Sequence, residues 1–412
     1  MIQFLTGIYL FYIFASLYLL FLYILIYLPH RKEFFSYPQP SKEYTIDIVV
    51  PCYNEGKTIE KTINALLDSD YKGLRKIIVV DDCSTDDSYE IIKKLAKKNP
   101  RIIAVRTPKN TGKASGSKNY GSKFATSELI GFIDSDSFSE KTAISRMIGF
   151  FDEEKVGAVT SLVLVSNVNN LIEKFQMIEY RIIAFTRKLL GFVDAIYVTP
   201  GALAIYKREV FEEVGRFDEK NMTEDIEITW NLVSRGYNIR MSSTAVVHTE
   251  VPAALKDWFK QRVRWNIGGL ETINKYKTAF VKKGMLGSFI LPFFVISWLI
   301  GLSGLAIMAY QLVRTIIVKI LSITYSIQAQ TAILRLSDIN LFPNVLVFFG
   351  IVLFILGLLY TLVALKYTRE TERNFKKVGV FILLGYLSLY LLAYPVILIV
   401  SVYKKITKKY SW

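Results

Sequence analysis

Residues 4–28 contain no charged side chain, a run long enough to cross a hydrocarbon core that needs about 20 apolar residues. After Lys283 the long apolar runs return, at 286–310, 341–365 and 378–403. The chain of 412 residues is 52% hydrophobic, and the excess lies at its two ends. Such a partition predicts a water-exposed domain framed by membrane segments. No basic stretch precedes the first run and no small-residue cleavage site follows it, so a removable signal peptide is the weaker reading. The run ends at Pro29, His30, Arg31 and Lys32, and the two cations place that end in the cytoplasm. A buried core helix is the alternative.

Two details leave the crossing number open. The amphipathic stretch 313–337, with Arg314, Lys319 and Arg335, either spans or lies in the interface. The loop 366–377 carries Lys366, Arg369, Arg373, Lys376 and Lys377, and the tail carries Lys404, Lys405, Lys408 and Lys409. A single crossing between them leaves one cluster outside, so either the last segment re-enters near Pro395 or the charge bias fails once.

From Ser41 to Lys283 short β-branched runs alternate with amphipathic helices. Strands are expected at 45–50, 76–80, 101–105 and 129–133, with helices near 57–68, 86–98 and 113–126. Continuous apolar strands each followed by a helix predict a parallel sheet covered on both faces. Ligands gather at the carboxyl ends of such strands, so the residues after the strands are the functional candidates.

The chain has two cysteines and two histidines. Cys52 and Cys83 do not make a disulfide framework, and His30 and His248 are too far apart in sequence for a His-based metal site or a Ser-His-Asp triad. Any catalysis falls to carboxylates. The formal charge of +15 suits a nucleotide-phosphate site and basic loops at an anionic leaflet, and no interleaved basic-aromatic module argues for nucleic acid. Asn110-Thr-Gly-Lys113 is faintly like a phosphate-binding loop but has Thr107 where that motif needs glycine.

The first strand ends in Pro51-Cys-Tyr-Asn-Glu55 and the second in Asp81-Asp-Cys-Ser-Thr-Asp86. Tyr53 offers a ring face to a planar base and Asp82 an acceptor for a ring N–H; alternatively both are ordinary turns, with Ser84 or Thr85 capping the next helix. The fourth strand runs into Asp134-Ser-Asp136, where positions i and i+2 share one side. Two acids there suit a hard divalent ion such as Mg²⁺ or Mn²⁺, or form a solvated acidic loop. Thr223-Glu-Asp225 opens a helix, so its acids either compensate the helix dipole behind a Thr223 cap or supply a general base at Asp225. Within a helix expected over 253–280, Gln261, Arg264 and Trp265 share a face, where amide, guanidinium and indole can clamp a diphosphate and stack on a sugar. The same helix carries Lys256, Lys260, Arg262 and Lys275 beside Leu255, Trp258, Phe259 and Leu270, the pattern of an interfacial helix.

Asp82, Asp134-Ser-Asp136, Thr223-Glu-Asp225 and Gln261-Arg-Val-Arg-Trp265, in this order between membrane helices, resemble the membrane-embedded inverting glycosyltransferases of family 2, the cellulose, chitin and hyaluronan synthase group. MTEDIEITWNLVSRGY (222–237) and QRVRWNIGGLE (261–271) are most similar to its poly-β-1,6-N-acetylglucosamine synthases. Departures are Cys83, where the family usually has glycine, and GKASGSKNYG at 112–121.

The resemblance implies an α/β GT-A (Rossmann-like) catalytic domain and a UDP-sugar donor. Pro51, Tyr53, Glu55 and Asp82 would hold uridine, Lys113 would approach the diphosphate, and Asp134 and Asp136 would meet nucleotide and metal (Mg²⁺ or Mn²⁺). Glu224 and Asp225 would form the catalytic pair, with Asp225 the base; Gln261, Arg264 and Trp265 would order diphosphate and acceptor. The implied organisation is a transmembrane helix at 1–30, a cytoplasmic GT-A domain at 31–252, an interfacial helix region at 253–284 and transmembrane helices at 285–412. The acceptor is a growing polysaccharide or, alternatively, a glycolipid; membrane lipids and accessory membrane subunits complete the expected partners.

Overall fold

The computed structural model describes residues 2–282, 284–328, 345–371 and 378–409. In chain order the elements are α1 (Ile2–His30), β1 (Ile46–Cys52), α2 (Ile59–Leu67), β2 (Leu74–Asp81), α3 (Ser88–Lys98), β3 (Ile102–Arg106), α4 (Ala114–Ser122), β4 (Leu129–Phe132), β5 (Ser137–Ser139), α5 (Ser145–Ile148), β6 (Val156–Val165) and α6 (Leu171–Gly191). There follow β7 (Ala204–Lys207), α7 (Arg208–Glu213), α8 (Glu224–Ser234), β8 (Asn238–Thr249), α9 (Leu255–Tyr276), α10 (Leu291–Gln328), α11 (Val345–Thr371), α12 (Val380–Gly385) and α13 (Ala393–Thr407).

The strands form one sheet of order β3-β2-β1-β4-β7-β6-β8-β5. The first four are parallel neighbours, as their continuous apolar runs predict. The sheet as a whole is mixed, contrary to the all-parallel expectation: β7 runs antiparallel to both β4 and β6, and β5 antiparallel to β8. A periodicity that reports burial on both faces carries no strand direction. Alternate residues feed two cores: Val49, Ile78, Val80, Ile130 and Phe132 pack on one face, and Ile48, Val50, Ile77, Val79 and Leu129 on the other. Each such side chain contributes about 1.5–3 kcal/mol on leaving water. The order β3-β2-β1-β4 reverses at β1, which opens a crevice at the strand ends between β1 and β4.

Among the described residues four helices are long and apolar enough to cross a membrane: Thr6–His30, Leu286–Gln328, Ile351–Thr368 and Val380–Thr407. The stretch 313–328 is no separate interfacial piece but the continuation of α10, whose 38 residues span about 57 Å at the helical rise; 329–337 lie outside the described residues. The last segment breaks at Leu391–Leu392, ahead of Pro395, between a π-helical turn (Tyr386–Tyr390) and α13. Of the basic loop, Arg373, Lys376 and Lys377 lie outside the described residues.

Helix α6 joins these layers. Its capping box, Asn170 with Glu173, fixes its start. Phe185 packs against Tyr27 of α1 and Tyr360 and Tyr367 of α11, and the Thr186 hydroxyl lies 2.7 Å from that of Tyr360. Helix α9 rests on α13, where Ser401 Oγ donates to the Val263 carbonyl at 3.4 Å.

Candidate active site

A cavity of about 710 Å³ opens at the carboxyl ends of β1, β2 and β4. All twelve residues singled out from the sequence line it: Pro51, Tyr53, Glu55, Asp82, Lys113, Asp134, Asp136, Glu224, Asp225, Gln261, Arg264 and Trp265.

One wall is made of loops. Parallel pairing places Cys52 opposite Asp81, so the loops after β1 and β2 lie side by side. They are stitched by side chains on backbone amides: Asn54 N donates to Ser84 Oγ at 3.0 Å, Glu55 N to Ser88 Oγ at 2.9 Å and Gly56 N to Asp86 Oδ2 at 3.0 Å. Ser84 and Thr85 therefore tie loops instead of capping α3, whose N-cap Asp87 makes no side-chain capping bond. Asp82 is buried and accepts from Thr107 Oγ1 at 2.7 Å, Thr111 N at 3.0 Å and Thr111 Oγ1 at 2.7 Å. A carboxylate has about four acceptor positions, so Asp82 anchors the 107–113 loop and keeps little capacity beyond it. Lys113 lines the cavity, but its ammonium donates to the carbonyls of Lys220 (3.0 Å) and Asn221 (3.2 Å). Tyr53 is half exposed.

Asp134 and Asp136 meet for a different reason from the strand alternation expected. β4 ends at Phe132, and both acids sit in the turn before β5, closed by Ser137 N on the Asp134 carbonyl at 3.1 Å. Gly201 makes room for the first: a Cβ there would meet Asp134 Oδ2 at 2.2 Å. Asp136 Oδ1 accepts from Ser137 Oγ (3.1 Å) and Thr249 Oγ1 (3.4 Å). Burial, with Asp134 and Glu55 nearby, pushes its pKa up to about 7. Burial also raises Glu55.

The opposite wall is helical. Thr223 precedes α8 but makes no side-chain capping bond. Gly268 of α9 lies against it, where a Cβ would stand 1.9 Å from Thr223 Oγ1; this close approach brings the Gln261–Trp265 turn beside Asp225. Lys118, which the sequence reading missed, is the hub. Its side chain is 3% exposed, with the ammonium 3.1 Å from Asp134 Oδ1 and 2.9 Å from Glu224 Oε1. Burial acts to lower the Lys118 pKa, and the two carboxylates outweigh it, so the group is raised and stays charged. Burial acts to raise Glu224, but Lys118 and, more weakly, Arg264 hold it below the ordinary value. Asp225 is raised to about 7, first by burial and then by the Glu224 charge. A lone lysine in the small-residue helix ASGSKNYGS was the available signal.

The interfacial reading of α9 fails for three residues. Arg262 is 1% exposed and paired with Glu179, Trp258 is buried with Nε1 on Tyr390 OH at 2.6 Å, and Lys275 is paired with Asp218 and Glu227. Lys256 and Lys260 remain on the outside.

A mixed sheet with acids after β4, facing a helix that carries acids in its first turn, defines a class. Residues 47–215 match the family model for glycosyl transferase family 2, so the chain carries a glycosyltransferase domain with a GT-A-like fold, as the motif resemblance implied. Among curated proteins it is similar to the poly-beta-1,6-N-acetyl-D-glucosamine synthase of Staphylococcus aureus, 32% identical over 230 residues, 55% of each chain. The synthase of the same name from Staphylococcus epidermidis is 31% identical over 250 residues, 60% of each. The chain thus spans a little over half the length of these relatives. Among solved structures, a mannosyltransferase from Pyrobaculum calidifontis in complex with GDP-Man and Mn²⁺ aligns over 97% of this chain and 99% of its own, with a TM-score of 0.58 at 17% identity. At that identity the likeness is one of fold.

Proposed function

We propose that this protein transfers a sugar, N-acetylglucosamine, with inversion from a UDP-sugar to a growing polysaccharide at the cytoplasmic face of the membrane, and that its multi-pass helices export the polymer. The observation that carries this reading is the meeting of Asp136, Asp225 and Trp265 on one cavity. Similarity to the staphylococcal synthases supports the sugar and the polymeric product.

In this reading the loop wall receives uridine, with the Tyr53 ring against the base. Asp134 and Asp136 are the residues that would hold a divalent ion. No cluster of three or more His, Cys, Asp or Glu ligands occurs among the described residues, but two carboxylates suit Mg²⁺ or Mn²⁺, which take waters and phosphate oxygens for the rest. The fit is electrostatic as well: Lys118 already pairs with Asp134, whereas Asp136 Oδ2 has no protein donor among the described residues and its carboxyl is pushed up first by burial and then by the neighbouring Asp134 and Glu55. When bound, the ion supplies charge stabilisation at the diphosphate. Arg264 and Gln261 orient that diphosphate, Trp265 supports the acceptor sugar, and Asp225 takes the proton from the acceptor hydroxyl as it attacks the anomeric carbon opposite UDP. A pKa near 7 suits a base working near neutral pH.

The test uses the purified full chain with Mg²⁺ or Mn²⁺ and a panel of UDP-sugars, reading UDP release and product size. A ladder of polymers made from UDP-N-acetylglucosamine is expected. One lipid-linked sugar would replace this with a single-transfer glycolipid synthase, and no turnover with any donor would remove the transferase reading.

A further inference from the structure

Gln261 and Trp265, placed above at the diphosphate and at the acceptor sugar, do not hold themselves in place. Between them in sequence lies Arg262, whose guanidinium is fully buried and engaged on every side. Its Nη1 donates to Gln261 Oε1 at 2.5 Å. Its Nη2 and Nε donate to the two oxygens of Glu179 at 2.5 and 3.3 Å, and its plane covers the Trp265 ring at 4.0 Å. One cation thus fixes both an amide and an indole of the cavity wall. With Gln261 Oε1 occupied, the amide is left to present its NH₂ as a donor.

The counter-charge is tied in turn to the last membrane-crossing candidate. Glu179, on α6 and 5% exposed, accepts from Tyr390 OH at 2.6 Å and from Tyr394 OH. Tyr394 OH also accepts from Arg262 Nε at 3.2 Å, and Tyr390 OH from Trp258 Nε1 at 2.6 Å. The chain of contacts runs from the 380–407 segment through Glu179 and Arg262 to two cavity residues, with every charge paired. A buried ion pair adds little to stability compared with apolar side chains of equal size, so stability alone does not account for it.

We propose that Arg262 and Glu179 are positioning residues, braced by Tyr390 and Tyr394, that set the orientation of Gln261 and Trp265 for transfer. This rests on the transferase reading above and adds residues outside the cavity lining to it. Removing a single charge strands its partner, so the decisive variant is Glu179→Met with Arg262→Met and Tyr394→Phe in the same full-length chain, which removes both charges and the hydroxyl together.

The expected result is a loss of transfer kcat/KM of about 100-fold, the size that a small misplacement at a reacting centre produces. It should fall mostly on kcat, with UDP affinity lowered by no more than the one Gln261 contact, about fivefold. The Trp265 resonance of fluorotryptophan-labelled protein, assigned through Trp265→Phe, should move. Arg262→Lys should not rescue, because an ammonium cannot serve a carboxylate, an amide and a ring face at once. Should the triple variant fail to fold, Tyr394→Phe and Arg262→Lys carry the same readouts, with about fivefold expected for the lost hydroxyl. Wild-type transfer in a folded triple variant overturns the proposal, as does an unmoved Trp265 resonance whatever the rate. Were the wild type to turn over no UDP-sugar, the transferase reading would fail while the resonance still decided the positioning.

Discussion

On the loop wall of the cavity, after β1, β2 and β3, polar contacts run between side chains and backbone amides of short loops, and Tyr53 stands half exposed. On the helical wall, carboxylates and cations are buried against each other across long stretches of sequence: Lys118 with Glu224, Arg262 with Glu179. Hydrogen bonds of the first kind are worth about 0.5–1.5 kcal/mol each, and about 1.5–3 kcal/mol where a carboxylate such as Asp82 accepts. Breaking a buried pair leaves an unpaired ion, at about 3–5 kcal/mol. Under the proposed function, the loop wall is therefore suited to adapting around a donor that comes and goes, and the helical wall to holding a reaction geometry fixed.

The largest effect should come from the group placed at the chemistry. Asp225→Asn keeps the side-chain volume and removes the proposed base, so kcat should fall about 10³-fold, with UDP affinity close to wild type. Asp82→Asn, on the loop wall, should act on UDP affinity instead, by about tenfold or less for one weakened hydrogen bond. If both variants lost kcat to the same extent, the division of labour between the walls would not hold.

Stability separates the walls next. Lys118→Met strands Glu224 and Asp134 and should cost about 3–5 kcal/mol of unfolding free energy. Lys113→Met removes only donors to two carbonyls and should cost about 1 kcal/mol. Chemical denaturation of the full chain in one detergent checks both, and equal costs would show that Lys118 is not the electrostatic hub.

The third comparison is in pH. Asp225 and Asp136 are both raised to about 7, above the usual carboxylate range of about 4. Between these values the folded chain binds more protons than the unfolded one, so stability from these groups is greatest at low pH and falls as pH rises toward 7. Activity should run the other way, rising to a plateau above about pH 7 as Asp225 ionises. A cation at Asp136 competes with its proton, so Mg²⁺ should raise the thermal midpoint more near pH 8 than near pH 5. An equal rise at both would remove Asp136 from the cation site.

The two walls also differed in how far they were legible in the sequence. Loop residues after parallel strands are found by locating strands, and β1 to β4 declare themselves as apolar runs of β-branched residues. Acids followed these runs directly, so Asp82, Asp134 and Asp136 were recognisable even though the strand geometry assumed for the last two was wrong. The helical wall depends on partners 106 and 83 residues apart. A lone lysine among the small residues of ASGSKNYGS is a local hint, but nothing there names the carboxylates that Lys118 meets, and Arg262 reads as one more basic residue on an amphipathic helix. The reversed strand β7 was hidden for the same reason, since direction is set by what packs against a strand and not by its own pattern.

The smallest expected effect concerns a departure on the loop wall. Cys83 has φ of +62°, a left-handed conformation that costs a non-glycine residue about 1–2 kcal/mol. Its Sγ lies 3.3 Å from the Thr107 carbonyl, a weak contact that ties it to the loop anchored by Asp82. Cys83→Gly relieves the strain but frees the unfolded chain, a loss of about 0.5–1 kcal/mol, so the net stabilisation should be within about 1 kcal/mol. Because the backbone already adopts the shape that glycine would take, UDP affinity should stay within about twofold. A larger gain in UDP affinity on Cys83→Gly would mean that the thiol, and not the backbone, limits how the donor seats, and would make this wall more rigid than its contacts indicate.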